Sequence, residues 1–224
     1  VIQKPFRPEI KAALVADVDV KLTGNSAVCG YNHRIVTPLW YGENGRGGFE
    51  SCVPYETGAG DLPAVWSTAD VNTGGGSQQG GQPSPTQEYQ TGFYTGPWDA
   101  LGISQEEFNS LAGAPFSAVP ATLKGIIYID SDGTAQNQSG AWGIQGTSGE
   151  GLLYVDGDLN LTGPFNYKGM VYVEGNLTGS GSIWVLGSVI VRGRSSVNVS
   201  GGSTVLYSSE AIALAISKYA GQFV

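Results

Sequence analysis

One short pattern occurs three times in the C-terminal half of the chain. GIIYID begins at Gly125, GLLYVD at Gly151 and GMVYVE at Gly169, so the copies start 26 and 18 residues apart. Each copy has a glycine, two apolar residues, a tyrosine, a β-branched residue and a carboxylate. The segment SIWVLGSVIVRG, which begins at Ser182, continues the theme with Trp184 in place of the tyrosine. One such turn cannot bury its own apolar side, so the repeat predicts stacked turns of a β-solenoid.

Alternation within the repeats predicts which side chains face inward. Successive residues of a strand point to opposite faces. We therefore expect Val171 and Val173 to lie in aliphatic columns inside the solenoid. The residues expected to stack along the outer face are Tyr128, Tyr154, Tyr172 and Trp184. Stacking alone, or packing beneath a loop, explains this ladder without a ligand.

Composition supports an all-β fold. The chain has 35 glycines among 224 residues, only 13% charged residues and 41% hydrophobic residues, which is typical of short strands joined by tight turns. We predict a short β-solenoid (β-helix) with a large irregular loop insertion and a C-terminal capping helix over its open end, all in one structural domain. The predicted parts are first solenoid strands at 1–26, an aromatic- and Gly-rich insertion at 27–121, solenoid repeats at 122–207 and the capping helix at 208–224.

The insertion is predicted to carry recognition, because surface loops on a rigid scaffold commonly carry function. Its run from Thr73 to Gly92 is rich in Gly, Gln, Ser and Pro and resembles a flexible linker or long loop. Trp66, Tyr94 and Trp98 lie outside the repeats and are candidates for facing a ligand, although we expect most of these aromatic residues to pack onto the solenoid. Packing of these rings onto the solenoid is the alternative.

Charge argues against general nucleic-acid binding. The formal net charge is −8, so the overall field repels phosphates. Arg192 and Arg194 stand close together and are candidates for a local anion contact. Ordinary solvated charge is the alternative for this pair.

The two cysteines, Cys29 and Cys52, predict one disulfide in an oxidising compartment. A metal site made by both cysteines and His33, the only histidine, is an alternative, although a structural zinc site normally takes four protein ligands. Two free buried thiols are a further alternative.

Motifs for catalysis are absent from the sequence. It has no G-x-S-x-G and no phosphate-binding GK[ST], so we predict that the protein is not an enzyme. Asp130 and Asp132 resemble the start of a calcium loop, but Ala141 stands where an EF-hand has its last ligand. They are weak calcium candidates, and turn-capping carboxylates are the alternative. No other cofactor is predicted.

Several segments resemble the C-terminal region of PilX-type type IV pilus assembly proteins, a family of minor-pilin-like proteins. They are ALVADVDVKLTGNSAVCGY, GLLYVDGDLNLTGPFNYKGMVYVEGNLTGSGSIWVLGSVIVRG and VLYSSEAIALAI. The resemblance implies a non-catalytic extracellular pilus subunit that is anchored in the membrane by an N-terminal hydrophobic helix. No apolar run of about 20 residues is present, so we expect that this helix has been removed from the sequence.

The resemblance implies contacts with other pilin subunits through that missing helix. It also implies roles in scaffolding, cell adhesion or, as in competence pilins, DNA uptake during natural transformation. A carbohydrate-binding surface module that recognises host or surface glycans is the alternative function. A surface enzyme is the least favoured reading.

Overall fold

The strands of this computed structural model form a β-solenoid in which parallel strands stack turn on turn. The structure describes residues 7–35, Cys52 and residues 60–220. The predicted all-β solenoid with a C-terminal helix is confirmed.

The elements follow one another along the chain as short strands, two helices, longer strands and a final helix. The strands are β1 Leu14–Ala16, β2 Asp19–Leu22, β3 Ala27–Cys29, β4 Val65–Ser67, β5 Val71–Thr73, β6 Gln78–Gly80, β7 Thr86–Gln87, β8 Leu123–Ile129, β9 Ala141–Val155, β10 Asp158–Val173, β11 Leu177–Ser180, β12 Ile183–Val191, β13 Ser196–Val199 and β14 Thr204–Tyr207. The helices are α1 Pro97–Leu101, α2 Gln105–Ala112 and α3 Ser209–Ala220.

Each turn of the solenoid contributes a strand to three faces. The first face contains, in stacking order, β8, the ends of β9, β10 and β12, then β1, β4 and β7. The second face contains the starts of β9 and β10, then β11, β13, β2 and β5. The third face contains the middle parts of β9 and β10, the start of β12, then β14, β3 and β6.

The stacking order is not the chain order. The N-terminal strands lie directly on the last C-terminal turn, with Leu14 opposite Val189 on the first face. Val20 opposes Val197 on the second face, and Val28 opposes Val205 on the third. The N-terminal block therefore lies in the middle of the stack. The chain extends the stack to one end at β7 and then crosses to the other end at β8.

The insertion predicted over 27–121 is not irregular throughout, which corrects that boundary. β3 belongs to the N-terminal turn, and β4, β5 and β6 form a further turn on top of it. The Gly-rich run beginning at Thr73 is therefore an ordered turn. Gly75 lies so close to Gly24 of the turn below that a Cβ on it would be 2.9 Å from the Gly24 nitrogen. The remainder of that region, residues 36–51 and 53–59, lies outside the described residues.

Residues 93–116, which we call the covering segment, lie over the first face. Ser104 is the N-cap of helix α2 in this segment, and its side chain forms a capping box with Glu107. The Phe108 ring packs edge-on against Tyr154 at 5.6 Å. At its end, the Phe116 N–H donates to the Tyr128 carbonyl at 2.7 Å, so the segment reaches the β8 edge of the stack.

A column of glycines forms the corner between the third and first faces. It consists of Gly125, Gly151, Gly169 and Gly187, and their φ angles lie between 115° and 144°. A Cβ on Gly187 would be 1.8 Å from the carbonyl oxygen of Gly169. Only glycine allows both this backbone conformation and this approach of successive turns. The glycine that begins each repeat therefore lies at the corner between the third and first faces.

The interior of the solenoid is filled by aliphatic side chains. Val171 and Val173 are buried there, as the alternation predicted. Their neighbours inside the stack include Leu14, Leu161 and Val189. The space left among them is about 20 Å³, which is room for no more than about one water molecule.

The predicted aromatic ladder is shorter than expected, and it is covered. The Tyr128 and Tyr154 rings stack at 4.7 Å, and Tyr172 follows edge-on at 5.7 Å. All three rings point away from the interior but are buried beneath the covering segment, so the alternative of packing beneath a loop is correct. Trp184 does not continue the ladder. It lies on the third face opposite Asn166, and Ile190 takes the fourth position because the glycine corner sets the register.

The C-terminal helix lies along the side of the solenoid, whereas we expected it on the open end. α3 packs against β8, β9, β10 and β12 and therefore spans several turns. Its buried residues include Ala211, Ile212 and Ala215. A Cβ on Gly169 would be 3.0 Å from the Ala215 Cβ, so small residues on both sides allow the close approach.

We expect Val171→Asp to lower the free energy of unfolding by at least about 4 kcal/mol, because it buries an unpaired charge among aliphatic side chains. Ser180→Asp, on the exposed side of β11, is the matched control and should change the free energy by less than about 1 kcal/mol. Urea denaturation of the two variants measures both values. Equal effects would mean that the inward and outward faces are reversed.

Candidate functional site

The three aromatic residues that were candidates for facing a ligand are buried, so the ligand-facing role is wrong for them and the packing alternative applies. Trp66, Tyr94 and Trp98 are 6%, 4% and 9% exposed. Trp98 packs against Phe108 of the covering segment. The Tyr94 hydroxyl donates to the Glu9 carbonyl at 2.7 Å and accepts from the Lys11 N–H at 3.0 Å. Trp66 lies on β4 of the first face, and its ring centroid is 6.4 Å from that of Phe93 in the covering segment, so aromatic rings from both sides fill this contact.

Arg192 is placed at the junction of the solenoid and the covering segment. Its Nε lies 2.7 Å from Glu174 Oε2, and the Glu174 side chain is fully buried. The other end of the guanidinium donates to the Tyr94 and Thr95 carbonyls at 2.8 and 3.0 Å. Arg192 therefore has a structural role. Whether it also contacts an anion remains a prediction.

Arg194 lies on the opposite side of the same corner. Its guanidinium is 2.8 Å from Asp158 Oδ1, and both side chains are partly exposed. The Arg194 and Ser195 N–H groups donate to Asn176 Oδ1 at 3.0 and 2.9 Å. Asn176 thus holds this corner of the chain, and the charge of Arg194 is balanced by Asp158.

Asp130 and Asp132 both cap the turn that follows β8. The Tyr128 hydroxyl donates to Asp130 Oδ2 at 2.7 Å, and the Asp132 N–H donates to Asp130 Oδ1 at 2.9 Å. Asp132 accepts from the Thr134 N–H and from the Asn137 side chain, and these hydrogen bonds lower its pKa. This is the turn-capping arrangement that was the alternative to calcium. No group of three or more metal-ligating side chains occurs among residues 7–35, 52 and 60–220.

Two further carboxylates, Asp156 and Glu174, are buried at the corner where Asp130 lies, which follows the first face. Asp156 accepts from the Gln138 and Asn137 N–H groups at 2.7 and 3.2 Å. Burial raises the pKa of both Asp156 and Glu174, and these hydrogen bonds to Asp156 and the charge of Arg192 beside Glu174 act in the opposite direction. These carboxylates and their hydrogen-bond partners therefore form a polar network that joins turns of the solenoid to the loop after β8.

Cys29 and Cys52 form a disulfide, with their Cα atoms 5.4 Å apart, and this prediction is confirmed. The disulfide removes both thiols from the alternative metal site. His33 is buried, and its backbone N–H donates to the Tyr207 carbonyl at 2.8 Å. Burial lowers the pKa of its imidazole. The histidine therefore helps to close the third face over β14.

A groove that the sequence did not predict lies on the outer side of the second face. It has a volume of about 440 Å³ and is open to solvent. Asn160, Thr178 and Asn198 occupy neighbouring positions of three stacked strands and line it. The signal in the sequence was the repeated Asn-Leu-Thr, in which leucine points inward and the polar residues point outward.

No family model, curated protein or solved structure matches the chain. Among the described residues, no helix is both long enough and apolar enough to cross a membrane.

Removal of Arg192 should release the covering segment. We expect Arg192→Ala to lower the free energy of unfolding by about 3 kcal/mol, because it leaves Glu174 buried without its partner. Addition of Glu174→Gln should recover part of this loss.

The exposed pair provides the control, since Arg194→Ala should cost less than about 1 kcal/mol. Urea denaturation measures the three variants and the wild-type protein, and cleavage by a Glu-specific protease at Glu106 and Glu107 reports release of the segment. Equal costs for the two arginines would contradict the assigned role.

The disulfide should stabilise the fold through its 23-residue separation. We expect the double variant Cys29→Ser, Cys52→Ser to lose about 3 kcal/mol of unfolding free energy, because the unfolded chain is no longer constrained. Urea denaturation with and without reductant measures the loss. Reductant should leave the double variant unchanged, and a wild-type protein that is insensitive to reductant would refute the contribution.

Proposed function

We propose that the chain is a non-catalytic extracellular subunit of a type IV pilus, with the solenoid as its scaffold. The proposal is supported by the positions of the segments that resemble PilX-type proteins. They are far apart in the sequence, yet β1, β2 and β3 stack directly on β12, β13 and β14. The resemblance thus covers one continuous block of the structure rather than unrelated pieces.

The disulfide supports an extracellular location, because disulfides persist in oxidising compartments. The charged residues that were singled out for chemistry also take part in structural contacts. Arg192 bonds Glu174 and two carbonyls, Arg194 bonds Asp158, and Asp130 accepts from Tyr128. These contacts favour a scaffold over an enzyme.

Adhesion fits the molecule better than DNA uptake. The net charge of −8 repels phosphates, and the two arginines considered for anion contact each pair with a carboxylate. A pilus subunit of this kind would present its solenoid to surfaces and contact other pilin subunits through an N-terminal helix.

The test uses the bacterium that encodes the protein. Deletion of the gene should reduce the number of pili seen by electron microscopy, and the full-length gene should restore it. The Ser180→Asp gene should also restore pili, whereas Val171→Asp should fail because the domain unfolds. The protein should be recovered in the sheared pilus fraction. A normal number of pili after deletion, with the protein absent from that fraction, would refute the proposal.

A further inference from the structure

Two of the three faces of the solenoid are covered by other parts of the chain. The covering segment lies on the first face. On the third face, Trp184, Leu186 and Leu206 pack with Cys29 and with Ala211 of α3, and Tyr31, Ile35 and Cys52 pack against this cluster. The second face has no such cover among the described residues. Its outward positions are mostly polar, with Ala141 and Gly143 on β9 as exceptions; polar examples are Asn160, Thr178, Asn198, Lys21 and Asn72.

The groove lies on the uncovered second face, near the β9 end of the stack. Gly143 occupies the position next to Asn160 in the same outward column, so the column has no side chain there. A Cβ on Gly143 would meet nothing within 4 Å. Ser195 belongs to the corner held by Asn176 and lines the groove on one side. Trp142, the residue before Gly143, lies opposite Leu159, so its side chain is on the inward side of the strand and packs against the core.

The groove offers hydrogen bonds but little charge. Asn160 and Thr178 are exposed, and their side chains have no hydrogen-bond partner within the described part of the chain. The carboxylate in the groove, Asp158, is paired with Arg194. Burial raises the pKa of Asp158, but Arg194 and the Asn176 N–H outweigh burial and lower it overall, so this pair remains ionised and balanced.

We propose that this groove binds a neutral polysaccharide chain. Amide and hydroxyl side chains match the hydroxyl groups of sugars, which both donate and accept hydrogen bonds. Neighbouring strands place equivalent side chains about 4.8 Å apart, so a chain of sugar rings that crosses the strands meets similar groups at each step. A polyanion finds no unpaired positive charge in the groove.

The proposal does not depend on a pilus role, because it concerns the isolated domain. Its test uses neutral hexasaccharides of β-1,4-linked glucose, β-1,4-linked N-acetylglucosamine and α-1,4-linked glucose as probes. Saturation-transfer NMR detects binding, and isothermal titration measures the affinity. A heparin hexasaccharide and a single-stranded DNA 12-mer are the anionic comparisons.

Two variants interfere with the groove in different ways. Asn160→Ala removes hydrogen bonds, and Gly143→Gln places a side chain in the open space. We expect each to weaken binding of the neutral hexasaccharide by about tenfold or more. Gly202→Gln is the matched control, because a Cβ on Gly202 also meets nothing within 4 Å but lies at another corner. It should leave the affinity unchanged, and urea denaturation should show all three variants folded.

The outcomes separate the proposal from its alternatives. Binding of at least one neutral hexasaccharide that is lost with Asn160→Ala and Gly143→Gln supports it. No binding of any neutral probe, or binding that both groove variants retain, overturns it. Tighter binding of heparin or DNA than of the neutral probes also overturns it. None of these results bears on whether pili are lost when the gene is deleted.

Discussion

Close approach of the backbone at one corner sets the geometry of the whole solenoid. Gly125, Gly151, Gly169 and Gly187 stack with left-handed backbone angles, and a side chain at most of these positions would meet the carbonyl of the turn below. This contact fixes the register of the four turns that contain these glycines, because the position of each later residue in the turn follows from the corner. It determines that Val171 points inward and Tyr172 outward. Because these glycines have no side chains, the alanines of α3 can also pack closely against this corner.

The corner explains what could be predicted from the sequence. The repeated glycine followed by alternating apolar residues predicted the solenoid, the buried valines and the tyrosine stack. Trp184 was misplaced because the fourth repeat was aligned from Ser182, whereas the structure aligns Gly187 with Gly169. The turn formed by β4, β5 and β6 gave no such signal. Thr73 and Gln79 stand at inward positions, opposite Leu22 and Val28 of the turn below, so the apolar alternation that identifies a strand is missing.

The errors at the candidate site have one physical cause. Trp66, Tyr94 and Trp98 stood outside the repeats, and a lone aromatic residue in a sequence does not show what it packs against. The first face of the solenoid presents the tyrosine ladder outward, and this apolar surface requires cover. The covering segment supplies the cover with aromatic rings and with carbonyls that accept from Arg192. A long-range contact of this kind depends on the crossing of the chain from β7 to β8. No local sequence pattern predicts this crossing.

The crossing of the chain from β7 to β8 also determines which face of the solenoid can bind a partner. A solenoid with three equivalent faces would leave the binding surface undetermined, but here the covering segment takes one face and α3 with the disulfide region takes another. The uncovered face differs from the other two in chemistry, since its outward residues are amides, hydroxyls and a few charges. Such a surface gains little by burying apolar area, so any affinity must come from hydrogen bonds repeated along the strands. A polymer with a regular row of hydroxyl groups can form several of these bonds at once, whereas a small molecule could form only one or two.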